Sequence, residues 1–184
     1  NKYETLLIND FLFKSNNYIG NKGIKTNYDI LLKNFNSYTE NSTSYKEKED
    51  YEVFGTLLIN TSLPLKKITN TGNDYLKPIT SFRYSPNNTK NISNKNKRLS
   101  YDNIFALNRI GTNEIVEGGK SLSIGFEYEK RNNNDKKLLG LALANSLRDR
   151  TNDNLPSKTK LNEERTDLVG KFSFSPNKIL NFDY

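Results

Sequence analysis

Apolar and polar residues alternate along much of this chain, and this period of two is the feature that most constrains its fold. Such alternation is typical of β-strands whose two sides meet different surroundings. In the clearest stretch, Ile115 to Tyr128, one side reads Val116, Gly118, Leu122, Ile124, Phe126 and Tyr128, interrupted by Lys120. The other side reads Glu117, Gly119, Ser121, Ser123, Gly125 and Glu127. The pattern predicts a sheet with one apolar and one polar face.

Eight segments carry such a signal, and short turns between several of them predict an all-β, antiparallel meander of about eight strands. The segments are 3–13, 25–36, 52–62, 75–84, 115–128, 139–148, 167–174 and 178–184. The first segment is apolar on both sides, so its faces are not assigned. In the sixth, Leu139, Leu141, Leu143 and Leu147 oppose Gly140, Ala142, Ala144, Ser146 and Arg148. Polar turns are predicted at 131–135 and at Ser175-Pro176-Asn177.

The lengths of the predicted connections favour a membrane barrel without deciding for it. Long polar connections are predicted at 14–23, 37–50, 85–114 and 149–165, and short ones at 64–74, 129–136 and 175–177. Outer-membrane barrels have short turns at one end and long loops at the other. The alternation is irregular here, because the strand ending near Asn36 has a long connection on both sides. A soluble β-sandwich would also alternate its faces, so both folds stay open at this point.

Aromatic residues fall near the ends of the predicted strands. They are Tyr28, Tyr51, Tyr75, Tyr84, Phe126, Tyr128, Phe172, Phe174, Phe182 and Tyr184. This placement resembles the aromatic girdles at the two interfaces of a membrane barrel. The ordinary preference of Tyr and Phe for strands explains it as well.

The composition excludes several kinds of chemistry. The 184 residues contain neither His nor Cys, so Ser-His and Cys-His nucleophile pairs, ordinary zinc sites and disulfides are excluded. The adjacent Glu163 and Glu164 would face opposite ways on a strand, and Asn152-Asp153-Asn154 lacks the Gly and distal Glu of a calcium loop. The net charge of +7 is spread along the chain and is weak evidence for a nucleic-acid partner. We predict no catalytic residue, no cofactor, no metal and no enzyme activity.

Several short motifs, in a fixed order, resemble the barrel domain of the LptD family of lipopolysaccharide-assembly outer-membrane proteins. The family positions that this chain matches are Pro78, Asp102, Phe105, Arg109, Glu117, Gly118, Gly119, Gly125, Asp167 and Gly170. They lie in Leu-x-Pro, Asp-Asn-Ile-Phe, Asn-Arg, Glu-Gly-Gly and Thr-Asp-Leu-Val-Gly stretches, the last with Thr166 where the family usually has Ser. The resemblance covers most of residues 24–184.

This resemblance implies that residues 1–184 are part of a very large outer-membrane β-barrel, without the family's N-terminal jelly roll and without its first and last barrel strands. With no Met at residue 1, we read the chain as a processed or excised piece. The implied function is to pass lipopolysaccharide from a periplasmic bridge through the barrel and its lateral gate into the outer leaflet. The implied partners are lipopolysaccharide, an LptE-like lipoprotein plug, an LptA-like bridge and outer-membrane lipids. Alternatives are another outer-membrane barrel, a porin or receptor, and a soluble sandwich that acts as a binding module.

Within such a barrel, the alternation predicts which cationic side chains face the lumen. They are Lys25, Lys33, Lys77, Arg83, Arg148 and Lys171. These cations would pair with anionic groups of the transported glycolipid or with the plug. Alternatively, they are solvated charges balanced by Asp29, Glu117 and Glu127.

Overall fold

The computed structural model describes residues 2–43, 46–112, 114–176, 180 and 182–184, and its main feature is one antiparallel sheet. The strands are β1 (Tyr3–Lys14), β2 (Tyr18–Ile19), β3 (Lys25–Glu40), β4 (Lys48–Ser62), β5 (Leu65–Thr69), β6 (Gly72–Ser85), β7 (Gly119–Arg131), β8 (Lys137–Arg148), β9 (Val169–Phe174) and β10 (Phe182–Asp183). A short 3-10 turn spans Lys158–Lys160. Among the described residues, no helix is long and apolar enough to span a bilayer.

The ten strands form eight rows, because two of the short strands continue a longer one. The order is β1-β3-β4-β6-β7-β8-β9-β10, with β2 beside β3 and β5 beside β6. β2 extends β1 past a bulge, in which residues 15–17 lie opposite residues 27–28. β5 extends β4 past Pro64, which has no N–H for the ladder. The predicted all-β meander of about eight strands is confirmed, and the sheet formed by the described residues is open.

The connections alternate regularly between the two ends of the sheet. One end, the short-turn end, carries the connections 20–24, 70–71, 132–136 and 175–181. The other, the long-loop end, carries 41–47, 86–118 and 149–168. The predicted irregularity around Asn36 is wrong, because β3 continues to Glu40 and most of 14–23 belongs to the row of β1 and β2. The bulge and the polar composition of these stretches hid strand residues in apparent loops.

One predicted strand boundary is also wrong. β7 begins at Gly119, whereas its alternating pattern begins at Ile115, so Gly118 precedes the strand and Gly119 is its first residue. Val116, assigned from the pattern to the apolar face with Leu122, is buried against Phe35 and Phe54 on the other side. The start of the predicted last strand, 178–184, and Asn177 of the predicted turn lie outside the described residues. Of the described residues of that strand, Phe182–Asp183 forms β10.

The two faces of the sheet differ sharply, as the register shows, because directly paired residues point to the same side. We call one the open face. Its exposed apolar residues include Tyr3, Leu7, Phe11, Phe13, Tyr18, Tyr28, Leu32, Tyr38, Tyr51, Val53, Ile59, Leu65, Leu76, Phe82, Tyr84, Ile124, Leu147, Phe172, Phe174 and Phe182. Of the aromatic residues predicted near strand ends, all but Tyr75 belong to this face.

We call the other side the covered face, because the connections 86–118 and 149–168 fold back over it. Its buried strand residues are Leu31, Lys33, Phe35, Ser37, Thr39, Phe54, Thr56, Leu58, Ser81, Arg83, Ser85, Ser121, Ser123, Ala142, Ala144, Ser146, Arg148 and Val169. The larger core lies between the two connections and β8–β9, where Leu99, Ile104 and Leu155 pack over Ala142 and Ala144. The small residues of β8 leave room for this layer of loop side chains.

Gly125 of β7 gives a test of how closely the loop layer packs on the sheet. A Cβ there would lie 2.5 Å from the Leu143 carbonyl oxygen and 2.9 Å from the Phe105 ring, whereas one at Gly55 of β4 would lie 3.7 Å from Leu32. We expect Gly125→Ala to lower the free energy of unfolding by about 1–3 kcal/mol, the usual cost of overpacking. The matched Gly55→Ala should be close to neutral. Urea titrations of the intact protein in detergent micelles measure both, and equal midpoints would contradict the packing described.

Candidate functional site: the loop cap and its arginine cluster

The two connections that lie on the covered face, residues 86–118 and 149–168, form what we call the loop cap. Beneath it lies the arginine cluster, composed of Arg83 on β6, Arg148 on β8, and Arg109 and Glu117 in the cap. Their exposed fractions are 3%, 8%, 3% and 2%. Charged side chains are almost never buried to this degree unless they are paired. The cluster is therefore the most constrained polar feature among the described residues.

Glu117 is the centre of the cluster. Arg109 binds both of its carboxylate oxygens, with Nε 3.0 Å from Oε2 and Nη2 on Oε1. Arg148 donates from Nη1 to the same Oε1. Such bidentate pairs are stronger and more directional than single hydrogen bonds. Glu117 thus joins a loop arginine to an arginine of the sheet.

The two sheet arginines also hold the backbone of the cap. Arg83 donates from Nη2 to the Glu117 carbonyl oxygen at 2.5 Å and from Nε to that of Leu107 at 3.0 Å. Arg148 donates from Nη2 to the Gly118 carbonyl oxygen at 3.0 Å. Because each guanidinium spans several acceptors in a fixed fork, the end of the first connection is fixed against β6 and β8.

The cluster has more positive than negative charge. Burial by itself would raise the pKa of Glu117, but Arg109, Arg83 and Arg148 together hold that pKa well below its usual range. Neutral acceptors bind a further donor: Arg109 Nη1 lies 2.7 Å from Ser146 Oγ and 3.4 Å from Ser123 Oγ. Ser123 and Ser146 of the covered face are therefore partners of the cluster.

Thr89 joins the two connections of the cap to each other. Its hydroxyl accepts from Gly118 N at 2.8 Å and from the Asn152 amide at 3.1 Å, and its carbonyl oxygen accepts from Asn154 Nδ2 at 3.0 Å. A Cβ at Gly118 would lie 1.9 Å from the Asn87 carbonyl oxygen, so this close approach requires glycine. Asn152 and Asn154, weighed above as part of a calcium loop, are structural contacts here.

A groove of about 920 Å³ lies on the covered face beside the cap, toward the short-turn end. Its charged walls carry two ion pairs, Lys77 with Glu127 at 2.7 Å and Lys171 with Asp102. Tyr101 donates to Glu127 at 3.2 Å. Burial and the Glu127 carboxylate raise the pKa of Tyr101. The groove is thus lined by two ion pairs and by apolar side chains, among them Ile79 and Phe105.

The six cations predicted to face a lumen occupy different environments. Arg83 and Arg148 belong to the cluster, and Lys77 and Lys171 line the groove. Lys33 is buried and pairs with Asp10 at 2.5 Å. Lys25 is exposed at the start of β3. The structure therefore brings four of the six to the cap or the groove.

The family-motif positions also concentrate around the cap. Arg109, Glu117, Gly118 and Gly119 form or adjoin the cluster, Asp102 and Phe105 lie at the groove, and Gly125 lies under the Phe105 ring. Asp167 donates its N–H to the Thr159 carbonyl oxygen, and Gly170 accommodates the Leu143 side chain. Pro78 lies on β6, away from the cap, and its carbonyl oxygen accepts a hydrogen bond from Leu63 N. Sequence reasoning missed Thr89, Ser123 and Ser146, since no motif marks them.

Comparison with known proteins identifies the family. A family model described as LptD: LPS transport system D matches residues 13–184. No curated protein sequence matches the chain.

Removing the carboxylate charge of Glu117 should loosen the cap. In Glu117→Gln three buried guanidinium groups lose their counter-charge, and breaking a buried ion pair costs about 3–5 kcal/mol. We expect a lower urea midpoint and faster trypsin cleavage within residues 86–118 of the intact protein. Glu163→Gln, the same change at an exposed position of the cap, is the control. Equal behaviour of the two variants would show that the cluster does not hold the cap.

The lowered pKa of Glu117 predicts a pH dependence with a definite sign. A carboxyl with a depressed folded-state pKa contributes its stability fully above its ordinary value of 4.5 and loses it as the pH falls below that value. The difference in urea midpoint between the natural protein and Glu117→Gln should be constant above about pH 5 and shrink below it. A difference that already shrinks between neutral pH and about pH 5 would contradict this assignment.

Proposed function

The chain belongs to the LptD family of lipopolysaccharide transport proteins, and on this basis we propose that it forms part of the wall of an outer-membrane β-barrel. The barrel carries lipopolysaccharide from the periplasm to the outer leaflet. The observation that supports this best is the contrast between an exposed apolar face and a polar face under a loop cap. A soluble sandwich would bury its apolar face against a second sheet and expose the polar one.

The open face has the dimensions of a membrane-spanning surface. On β3 it extends from Tyr28 to Tyr38, interrupted by Asn34 and Asn36, which bind each other. On β6 it extends from Leu76 to Tyr84, and on β8 from Leu139 to Leu147. A strand that crosses a bilayer needs about 9–11 residues. The antiparallel pairs satisfy the backbone groups that lipid cannot. β6 pairs with β4 only from Leu57 to Ser62, and the Asn87 side chain binds Gly55 N and the Val53 carbonyl oxygen beyond that point. In this proposal the long-loop end faces the cell exterior and the short-turn end faces the periplasm.

The covered face becomes the wall of the lumen in this proposal. The loop cap then lies in the outer part of the lumen, and the groove with Lys77 and Lys171 lies below it, toward the periplasm. All six cations, Lys25 and Lys33 included, face the lumen. Phosphate groups of lipopolysaccharide suit exchangeable ion pairs such as Lys77–Glu127, because a phosphate can replace the carboxylate partner.

The remaining partners belong to the complete barrel. Further strands beside β1 and β10 would continue the sheet, since both have unpaired edges among the described residues. We propose an LptE-like lipoprotein inside the barrel, an LptA-like bridge at an N-terminal jelly roll, and release through a lateral gate formed by other strands. Transport of this kind makes and breaks no covalent bond.

Depletion of the intact protein in its own cell tests the transport function. We expect newly made lipopolysaccharide at the cell surface to fall while it accumulates inside, as measured by surface labelling. Restoring the natural protein should restore the surface signal, and so should Gly55→Ala, whose added methyl group would meet only the Leu32 side chain, at 3.7 Å.

A different outer-membrane barrel would give a different result. If surface lipopolysaccharide is unchanged and the uptake of small solutes falls, the chain belongs to a porin or receptor and the transport proposal is wrong.

A further inference from the structure

Three polar groups at the arginine cluster have no hydrogen-bond partner among the described residues, although all three are buried. They are the hydroxyls of Ser85 and Ser121 and the Nε–H of Arg148. Ser85 and Ser121 are only 1% and 4% exposed. Buried polar atoms in native proteins nearly always have a partner, and one without a partner in the protein itself indicates a bound water or ion. These groups therefore indicate a ligand beneath the loop cap.

The register of the sheet places these groups next to one another. Ser121 of β7 is paired directly with Arg83 on β6 and with Arg148 on β8, so it lies between the two sheet arginines on the covered face. Ser85 is paired with Gly119, one position further along that face toward the long-loop end. A Cβ at Gly119 would lie 3.4 Å from Arg148 Nη2. The Arg148 guanidinium thus lies over the residue that neighbours both serines.

The charge at this place is positive. Three guanidinium groups and one carboxylate, that of Glu117, leave a surplus of two positive charges in a buried cluster. Every other carboxylate of the cap is exposed; these belong to Asp102, Glu114, Asp149, Asp153, Glu163, Glu164 and Asp167. Asp149, the chain neighbour of Arg148, binds the backbone N–H of Lys120 at 3.4 Å.

The carboxylates that the adjoining strands carry on the covered face have other partners. Glu52 of β4 pairs with Lys90 of the cap, and Glu127 and Glu129 of β7 pair with cations toward the short-turn end. A buried charge without a counter-charge is costly. The surplus at the cluster therefore favours the uptake of an anion.

We propose that the arginine cluster binds one monatomic anion of the chloride type, held by the Nε–H of Arg148 and the hydroxyls of Ser85 and Ser121. A water molecule would accept the same hydrogen bonds but leave both surplus charges in place. A halide supplies negative charge and needs only N–H and O–H donors, which these groups provide. The bound anion stabilises the attachment of the cap to β6 and β8. It belongs to the chain's own buried groups and does not depend on the transport function.

The halide dependence of stability tests this site in the intact protein in detergent micelles. Urea titrations are run in sodium chloride and in sodium gluconate at equal ionic strength, because salt also screens the exposed ion pairs. An anion that binds only the folded protein raises the folding equilibrium constant by the factor 1 + [anion]/Kd. We expect chloride at roughly 0.3 M to raise this constant at least about fivefold over gluconate, which is too large for the site. Equal stability in the two salts would overturn the proposal.

Two matched variants separate the site from a general effect of chloride. Ser121→Ala and Ser37→Ala each remove a buried hydroxyl that has no partner among the described residues, but Ser37 lies on β3, away from the cluster. Ser37→Ala should keep the full chloride effect, whereas Ser121→Ala should reduce it to less than about twofold. The proposal is wrong if the natural protein and Ser121→Ala respond to chloride equally.

Bromide locates the anion directly and does not depend on the folding of any variant. Crystals of the intact protein grown in sodium bromide should give an anomalous-scattering peak within hydrogen-bond distance of Arg148 Nε and Ser121 Oγ. A water molecule at that position without an anomalous signal, or bromide at other positions only, would overturn the proposal. Neither result would affect the transport function, which the surface labelling of lipopolysaccharide tests separately.

Discussion

The carboxylate of Glu117 is the interaction on which the arrangement of this molecule depends. It is the single anion among three buried arginines, two of which belong to the sheet. Without this carboxylate, packing the end of the first connection on the covered face would bury three guanidinium groups with no counter-charge, which is strongly unfavourable. With it, Arg83 and Arg148 bind the backbone of residues 107–118, and the apolar side chains of the cap are brought over Ala142 and Ala144. Electrostatic pairing positions the cap, and apolar burial then stabilises it.

The cap in turn explains why one face of the sheet carries small, buried residues and the other carries large, exposed apolar ones. The serine, alanine and glycine residues of the covered face do not point into solvent. The side chains of the loop cap pack on them. The open face keeps its leucines and aromatic residues uncovered, which is stable in lipid and unfavourable in water. The loop cap on one face and the uncovered apolar residues on the other are both consequences of the same alternation.

Sequence reasoning reached the strands, the faces and the family but not the cluster. Alternation alone puts Arg83 on the side of Ser81 and Arg148 on the side of Ser146, and the structure has them there. Alternation misled at Val116, because an extended loop that lies on a sheet repeats the same period of two. The contacts of Glu117 with Arg83 and Arg148 could not be predicted from the sequence, because these arginines lie 34 and 31 residues away and no local pattern connects them to Glu117. The full extent of β3 and of the β1–β2 row was hidden for a similar reason, since a bulge and polar strand ends resemble loops.

The most direct test of this account measures which side of the sheet meets lipid. Nitroxide spin labels are placed singly at residues 139–147 of β8 in the intact protein in membranes, and their collisions with oxygen and with a water-soluble nickel complex are recorded. The account predicts high oxygen and low nickel accessibility at 139, 141, 143 and 147, and low values for both at 142 and 144, beneath the cap. High nickel accessibility at the leucine positions would place that face in water and contradict the account.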